Sequence, residues 1–150
     1  MAKKSKQKKR EYNKENLLYF QRKYLIPKLR QLTRYWPYNN IVRNSAKIRV
    51  KVGIYKNGKP KYEIKYKCNH CGELFNKIAI DHINPVVPVN NDIIDWGDYI
   101  NGLFCDTTNL QGLCNYPGVI NGRKSCHAIK AEKERKTRQK HKIRKNNMSN

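Results

Sequence analysis

The chain has 150 residues, 38% of them hydrophobic and 29% charged, which fits one domain with a modest core. Its 33 Lys and Arg against 11 Asp and Glu leave a formal charge of +22 at pH 7, more than solubility requires, and point to a polyanionic partner with nucleic acid foremost. A membrane protein is disfavoured: no run approaches about 18 consecutive apolar residues, the basic segments lack the apolar face of an interfacial helix, and the lysines after Met1 lead into no apolar signal region, so a cytoplasmic location is expected.

In chain order, residues 1–10 hold six basic residues and no apolar face, so burial cannot offset the entropy of ordering them. They read as a disordered basic arm that raises affinity for any phosphate backbone. Residues 11–46 read as a basic helical segment. Leu18, Leu25, Leu29, Leu32 and Trp36 recur at helical spacing, which predicts one helix interrupted near Pro27 or two helices joined there. Tyr19, Phe20, Tyr24 and Tyr35 interleave with Arg22, Lys23, Lys28, Arg30 and Arg34. Such aromatics suit base stacking, but their helical spacing favours a place in the core.

Ile48, Val50, Val52 and Ile54 alternate with polar residues, as do Tyr62, Ile64 and Tyr66 after Asn57-Gly58, which predicts a two-stranded ribbon around a tight turn. Its other face is expected to carry Lys47, Arg49, Lys51, Lys61 and Lys65, suited to a phosphate backbone and to guarding an exposed edge. Residues 78–122 contain no Lys or Arg and hold Asp81, Asp92, Asp95, Asp98 and Asp106; all but Asp81 read as ordinary loop aspartates. Further on, Ser125 predicts a cap for a helix that opens at Cys126-His127 and fades after Arg135, leaving residues 136–150 as a basic tail.

Five cysteines in a reducing compartment favour metal ligation over disulfides. Zinc held by four thiolates needs two pairs of sulfurs converging at about 2.3 Å from the ion. Cys68-Asn69-His70-Cys71-Gly72 supplies one knuckle. Cys114 and Cys126 supply the second pair, separated by a segment whose Pro117, Gly118 and Gly122 allow it to loop out and return. His70 is a less favoured replacement for one cysteine, and Cys105, within Leu103-Phe104-Cys105, reads as a small buried hydrophobe. A closed four-sulfur shell is architectural, so chemistry needs a second site.

Asp81, His82, Asn109 and His127 remain for that site. A phosphodiester repels hydroxide and has a poor alkoxide leaving group, so hydrolysis calls for a base and a cation. His82 suits the base, while Asp81 and the neutral imidazole of His127 suit a divalent cation. Strand alternation puts Asp81 and His82 on opposite faces, so they converge only where the strand ends, near Pro85 and Pro88. Asn109 is suited to brace the intervening loop through its amide.

As a set, Tyr66-Lys67-Cys68-Asn69-His70-Cys71-Gly72, Ile80-Asp81-His82-Ile83-Asn84-Pro85, Asn109-Leu110-Gln111-Gly112-Leu113-Cys114 and Cys126-His127-Ala128-Ile129-Lys130 resemble the HNH endonuclease family. The likeness is to its small phage-encoded, zinc-stabilised members. The stretch Trp96-Gly97-Asp98-Tyr99-Ile100-Asn101-Gly102-Leu103-Phe104-Cys105 and the lead-in ending at Trp36-Pro37 look like the same relatives. The resemblance implies an α+β fold with a ββα-metal (His-Me finger) core, here residues 47–135 including the hairpin. It implies His82 as general base, Asp81 and His127 as ligands of Mg2+, Mn2+ or a similar cation, and Asn109 as the residue that holds the loop and orients His82. Cys68, Cys71, Cys114 and Cys126 would then hold the structural zinc. Where the family places Cys-x-x-Cys directly before its last histidine, this chain has residues 115–125 between Cys114 and Cys126.

These readings lead to the expectation of a metal-dependent DNA endonuclease in the cytoplasm of a host cell, hydrolysing phosphodiester bonds by nicking or double-strand cleavage. Arg49, Lys51, Lys65, Arg123, Lys124 and Lys130 are its expected contacts with DNA. A noncatalytic zinc-ribbon nucleic-acid-binding protein is the alternative, and an RNA-packaging protein ranks third.

Overall fold

The computed structural model describes residues 14–89 and 95–148, with side chains from Tyr19 onward; the expected basic arm over residues 1–10 and Asp92 lie outside the described residues. The architecture is α+β, and the chain divides into two units between Arg34 and Tyr35. That boundary falls earlier than the end of the helical segment expected at residue 46. Helix α2 (Pro37–Ser45) lies in the second unit because it buries Val42, and Ala46 just after it, there.

In the first unit a single helix, α1 (Lys14–Leu32), runs through Pro27 without breaking. Proline brings no N–H, so the helix continues although one carbonyl a turn earlier lacks its donor. The expected core stripe is not buried: Tyr24, Leu25 and Leu32 are exposed, and Ile26 and Leu29 are half-buried. Arg22, Lys23, Lys28 and Arg30 interrupt the apolar positions, and the aromatics pack on one another instead. Phe20 stacks on Tyr24 at 6.0 Å between centroids, and the Lys23 ammonium lies 5.7 Å from the rings of both Tyr19 and Tyr24.

Near the start of the second unit stands Trp36, whose indole Nε1 donates to the Cys105 carbonyl at 2.7 Å and whose ring meets Phe104 edge-on at 5.3 Å. Pro37 then starts α2, where a missing N–H costs nothing. A three-stranded antiparallel sheet follows, made of β1 (Lys47–Ile54), β2 (Pro60–Lys67) and the short β3 (Leu74–Phe75). The predicted hairpin is present. Gly58 donates to the Tyr55 carbonyl at 2.9 Å from a φ of 81°, a conformation that a side chain disfavours.

The hairpin's register corrects one expectation. Lys47 pairs with Tyr66, Arg49 with Ile64 and Lys51 with Tyr62, while Ile48 pairs with Lys65 and Val50 with Glu63. Opposite residues share a face, so the apolar alternation of one strand is out of phase with that of the other. Lys47, Arg49 and Lys51 lie with Tyr62, Ile64 and Tyr66, whereas Lys61 and Lys65 lie on the reverse with Ile48 and Val50. Neither face is apolar throughout, and the ribbon stays largely exposed.

The remaining elements frame the site. Strand β4 (Ile78–His82) pairs antiparallel with β5 (Leu110–Cys114), in register from Ile78 opposite Cys114 to His82 opposite Leu110. Between them lies α3 (Trp96–Leu103), capped by the Asp95 carboxylate, which accepts from the Asp98 N–H at 3.0 Å. Asp106 likewise caps a short turn over Thr107–Asn109 and accepts from Thr108 N at 2.9 Å. These two aspartates are caps, in keeping with their reading as loop residues.

After β5, β6 (Val119–Ile120) and β7 (Arg123–Lys124) form a small hairpin whose turn residues Asn121 and Gly122 have φ of 50° and 75°. It folds the intervening segment back on itself and returns Cys126 to Cys114. Helix α4 (Cys126–Met148) begins on Ser125, whose Oγ accepts from Ala128 N at 3.3 Å. The helix continues well past Arg135, where it was expected to fade. Ion pairs Lys130–Glu134 and Glu132–Lys136, each at 2.9 Å, span its turns, and Arg138 donates to the carbonyls of Val87 (2.7 Å) and Pro88 (3.3 Å).

Among the described residues the buried hydrophobic side chains are few: Val42, Ala46, Tyr99, Leu103 and Leu110, and around the sulfurs Cys68, Leu113, Cys114 and Cys126, with Phe75 and Tyr116 packed against them. A core this small needs a staple. No helix among the described residues is long and apolar enough to cross a membrane.

Candidate metal centre and candidate active site

The sulfurs of Cys68, Cys71, Cys114 and Cys126 all lie within 4.8 Å of one another, and all but Cys71 are buried. Around a tetrahedral zinc with bonds of about 2.3 Å, neighbouring sulfurs would stand roughly 3.8 Å apart, so this donor set is compatible with a structural zinc. Backbone amides point at the cluster: Cys114 N donates to Cys68 Sγ at 3.3 Å and Cys126 N to Cys114 Sγ at 3.2 Å. Burial alone would raise the Cys68 thiol, but the N–H groups of Cys71, Cys114 and His70 outweigh it and hold it down to about 7. Burial pushes Cys114 up, and burial with the crowding of the other sulfurs pushes Cys126 well up. A cation bound among the four sulfurs would reverse that trend, because it favours the thiolate form of each.

Asn69, which sequence reasoning passed over, locks the knuckle to β5. Its backbone N–H donates to the Gly112 carbonyl at 2.8 Å, and its Oδ1 accepts from Gly112 N at 2.9 Å. A Cβ at Gly112 would fall 2.6 Å from Ile78 Cδ1 and 3.3 Å from Asn69 Oδ1, so a larger residue there would have to displace the tip of Ile78 and press on the Asn69 amide. His70 is exposed, with Nδ1 3.6 Å from Cys126 Sγ, and is not one of the four clustered donors. Cys105 is half-buried, lies outside the cluster and is raised by that burial.

Asp81 and His82 occupy the last two positions of β4, and the pleat sends them apart. Asp81 turns to α4, where its Oδ2 lies 2.7 Å from Lys130 Nζ. The same ammonium donates to the His82 carbonyl at 2.6 Å and lies 2.9 Å from Glu134 Oε1. His82 turns to α3, with its Nε2 3.2 Å from the Leu103 carbonyl. A carbonyl oxygen only accepts, so Nε2 is the donor in this contact; in the neutral imidazole Nδ1 then carries the lone pair. Leu103 closes α3, so its carbonyl belongs to the last turn, whose oxygens lack helical donors.

Asn109 braces the loop after His82. Its backbone oxygen accepts from Ile83 N at 2.8 Å, its Oδ1 from Asn84 N at 2.8 Å, and its Nδ2 reaches the Asn84 carbonyl at 3.4 Å. His127 lies one turn before Lys130 and so on the helix face that meets Asp81. No hydrogen bond or ion pair joins it to Asp81 or His82 among the described residues, and the four cysteines form the one group there of three or more such side chains close enough to share an ion.

Four of the six expected DNA contacts are already engaged. Lys65 pairs with Glu63 at 3.2 Å and with the Asn76 amide oxygen; Arg123 pairs with Glu73 and Lys124 with Glu132, each at 2.9 Å; Lys130 holds Asp81. Arg49 instead stacks over the Tyr62 ring, with Cζ 4.0 Å from its centroid.

Comparison with protein-family models, with curated proteins and with solved structures finds no match for this chain.

Proposed function

We propose that this chain is a zinc-stabilised, metal-dependent DNA endonuclease of the HNH type, with β4, β5 and α4 as a ββα-metal core. The observation that carries the reading is the pairing at the end of β4. An imidazole oriented by an orphan helix carbonyl follows in sequence a carboxylate already engaged with a cationic group, just before a loop clamped by Asn109. The net charge of +22 supplies the affinity for a polyanion.

In this reading His82 Nδ1 takes a proton from water as the water oxygen bonds to phosphorus in line. The bond from phosphorus to the 3′ oxygen breaks and that oxygen takes a proton from solvent water, leaving a 5′ phosphate and a 3′ hydroxyl. Asp81 and His127 would hold a divalent cation, Mg2+ or Mn2+, which offsets the negative charge that develops on the phosphate and the leaving oxygen. Lys130 must release Asp81 for that cation to bind. Asn109 keeps residues 83 and 84 in register so that His82 meets its water.

A second reading, a noncatalytic zinc-ribbon nucleic-acid-binding protein, is favoured by the Lys130 ammonium lying on Asp81. Incubation of supercoiled plasmid with the zinc-loaded protein, with added Mg2+ or Mn2+ and with EDTA, separates the two. Nicked or linear product that requires the added cation is expected; tight DNA binding with no product under any divalent cation would establish the second reading instead.

A further inference from the structure

The hairpin β1–β2 has more exposed apolar side chain than a free surface needs. Ile48, Val52, Ile54, Tyr62 and Ile64 are all exposed, on a ribbon of eight residues per strand, about 26 Å long. Residues 47–67 hold eight Lys or Arg against the single acid Glu63.

The two faces differ. On the reverse, Glu63 pairs with Lys65, and Asn76 accepts from the same ammonium. The front carries no acid: Lys47, Arg49 and Lys51 alternate across the strands with Tyr66, Ile64 and Tyr62, and the guanidinium of Arg49 lies on the Tyr62 ring. The stacking holds the guanidinium flat while leaving its N–H groups directed outward. The β-bulge at Val52 adds twist to the ribbon beyond Lys51.

We infer that this front face, centred on Arg49, Lys51 and Tyr62, is a docking surface for the major groove of duplex DNA. A twisted two-stranded ribbon fits a groove about 12 Å wide, whereas the major groove of A-form RNA is too deep and narrow for side chains to read. The cations would meet the phosphates of the groove walls while Tyr62 and Ile64 meet the thymine methyl groups on its floor. The inference rests on the nuclease reading in taking DNA as the ligand, but it concerns binding and not cleavage.

The test compares two charge-matched variants, Arg49→Ala/Lys51→Ala and Lys61→Ala/Lys65→Ala, each in the His82→Ala protein so that the DNA stays whole. The readout is fluorescence anisotropy on a labelled duplex of about two helical turns, between about 50 and 200 mM salt. Loss of the front pair should weaken binding at least about tenfold and flatten the salt dependence by about two contacts, at roughly 0.9 in slope per phosphate. Loss of the reverse pair should stay within about threefold. Tyr62→Ala, which removes no charge, should weaken binding with the salt slope unchanged. Zinc content and thermal melting accompany each variant, and glutamine pairs replace any alanine pair that melts early.

Equal losses from the two faces would overturn the assignment while leaving the nuclease reading intact, as would equal affinity for duplex RNA. Absence of duplex binding by the His82→Ala parent would overturn both. Plasmid cleavage by the intact chain tests the nuclease reading separately.

Discussion

The ammonium nitrogen of Lys130 stands 2.7 Å from a carboxylate oxygen of Asp81, the carboxylate that the proposed divalent cation would need. The His82 carbonyl at 2.6 Å and Glu134 Oε1 at 2.9 Å complete its surroundings, so three oxygens from β4 and α4 converge on one charge of the chain's own. Lys130→Met removes that charge. The metal-free protein should lose about 1–2 kcal/mol, because Asp81 and Glu134 are left partly buried without a counterion. The variant should also bind Mn2+ about tenfold more tightly by calorimetry, since the ammonium no longer competes.

The same pair sets a pH dependence. Burial pulls the Lys130 ammonium down, but its contacts with Asp81 and Glu134 more than offset that and raise it above its ordinary 10.5. A raised folded value means that the stabilisation is complete below the unfolded value and is lost only as pH climbs through the folded one. Melting curves of wild type and Lys130→Met should therefore stay a constant distance apart from neutral pH to about 10 and converge above it.

Removing any of Cys68, Cys114 or Cys126 should abolish stoichiometric zinc and broaden the unfolding transition, because with Leu113 those residues form one buried cluster. Cys105→Ser should keep one zinc per chain by elemental analysis, since Cys105 lies outside the cluster. A chelator strong enough to strip the wild type should reproduce the Cys114→Ser melt.

Asn109→Ala strips the Asn84 N–H of its acceptor and should cost about 1–2 kcal/mol by denaturant titration. Cleavage should fall at least about tenfold with zinc content unchanged, as the loop that follows His82 loosens. Asn109→Asp keeps an oxygen at 2.8 Å from Asn84 N and should recover most of the stability.

Asn69→Ala tests the knuckle independently. It leaves the Gly112 N–H without its partner and should cost about 1–3 kcal/mol by thermal melting, while altering cleavage only as far as zinc is lost.

What was legible in the residues was the chemistry of side chains with fixed spacing. The Cys68–Cys71 knuckle, the returning Cys126, the Ser125 cap, the β1–β2 turn and the brace from Asn109 to Asn84 were each readable because a particular residue type is required there. Four things were not. The hairpin's phase depends on cross-strand register, which alternation within a single strand does not encode, so the two apolar sets were read as one face. The contact that orients His82 comes from a main-chain oxygen at Leu103, and a carbonyl has no signature in sequence. Lys130 looked like one more cation for DNA because the crossing of α4 over Asp81 is a tertiary fact. The length of α4 was missed for a related reason: its late turns are polar all round, and ion pairs with the Arg138 clamp stand in for an apolar face.

The central claim is that His82 is the base of a hydrolytic site. The measurement that tests it most directly is the initial rate of supercoiled plasmid cleavage in Mg2+ or Mn2+ by the wild type and by His82→Ala, with zinc content and DNA affinity determined on both. The account predicts cation-dependent cleavage by the wild type and a fall of at least about a hundredfold in the variant, with zinc and affinity unchanged. Undiminished cleavage by His82→Ala would contradict it.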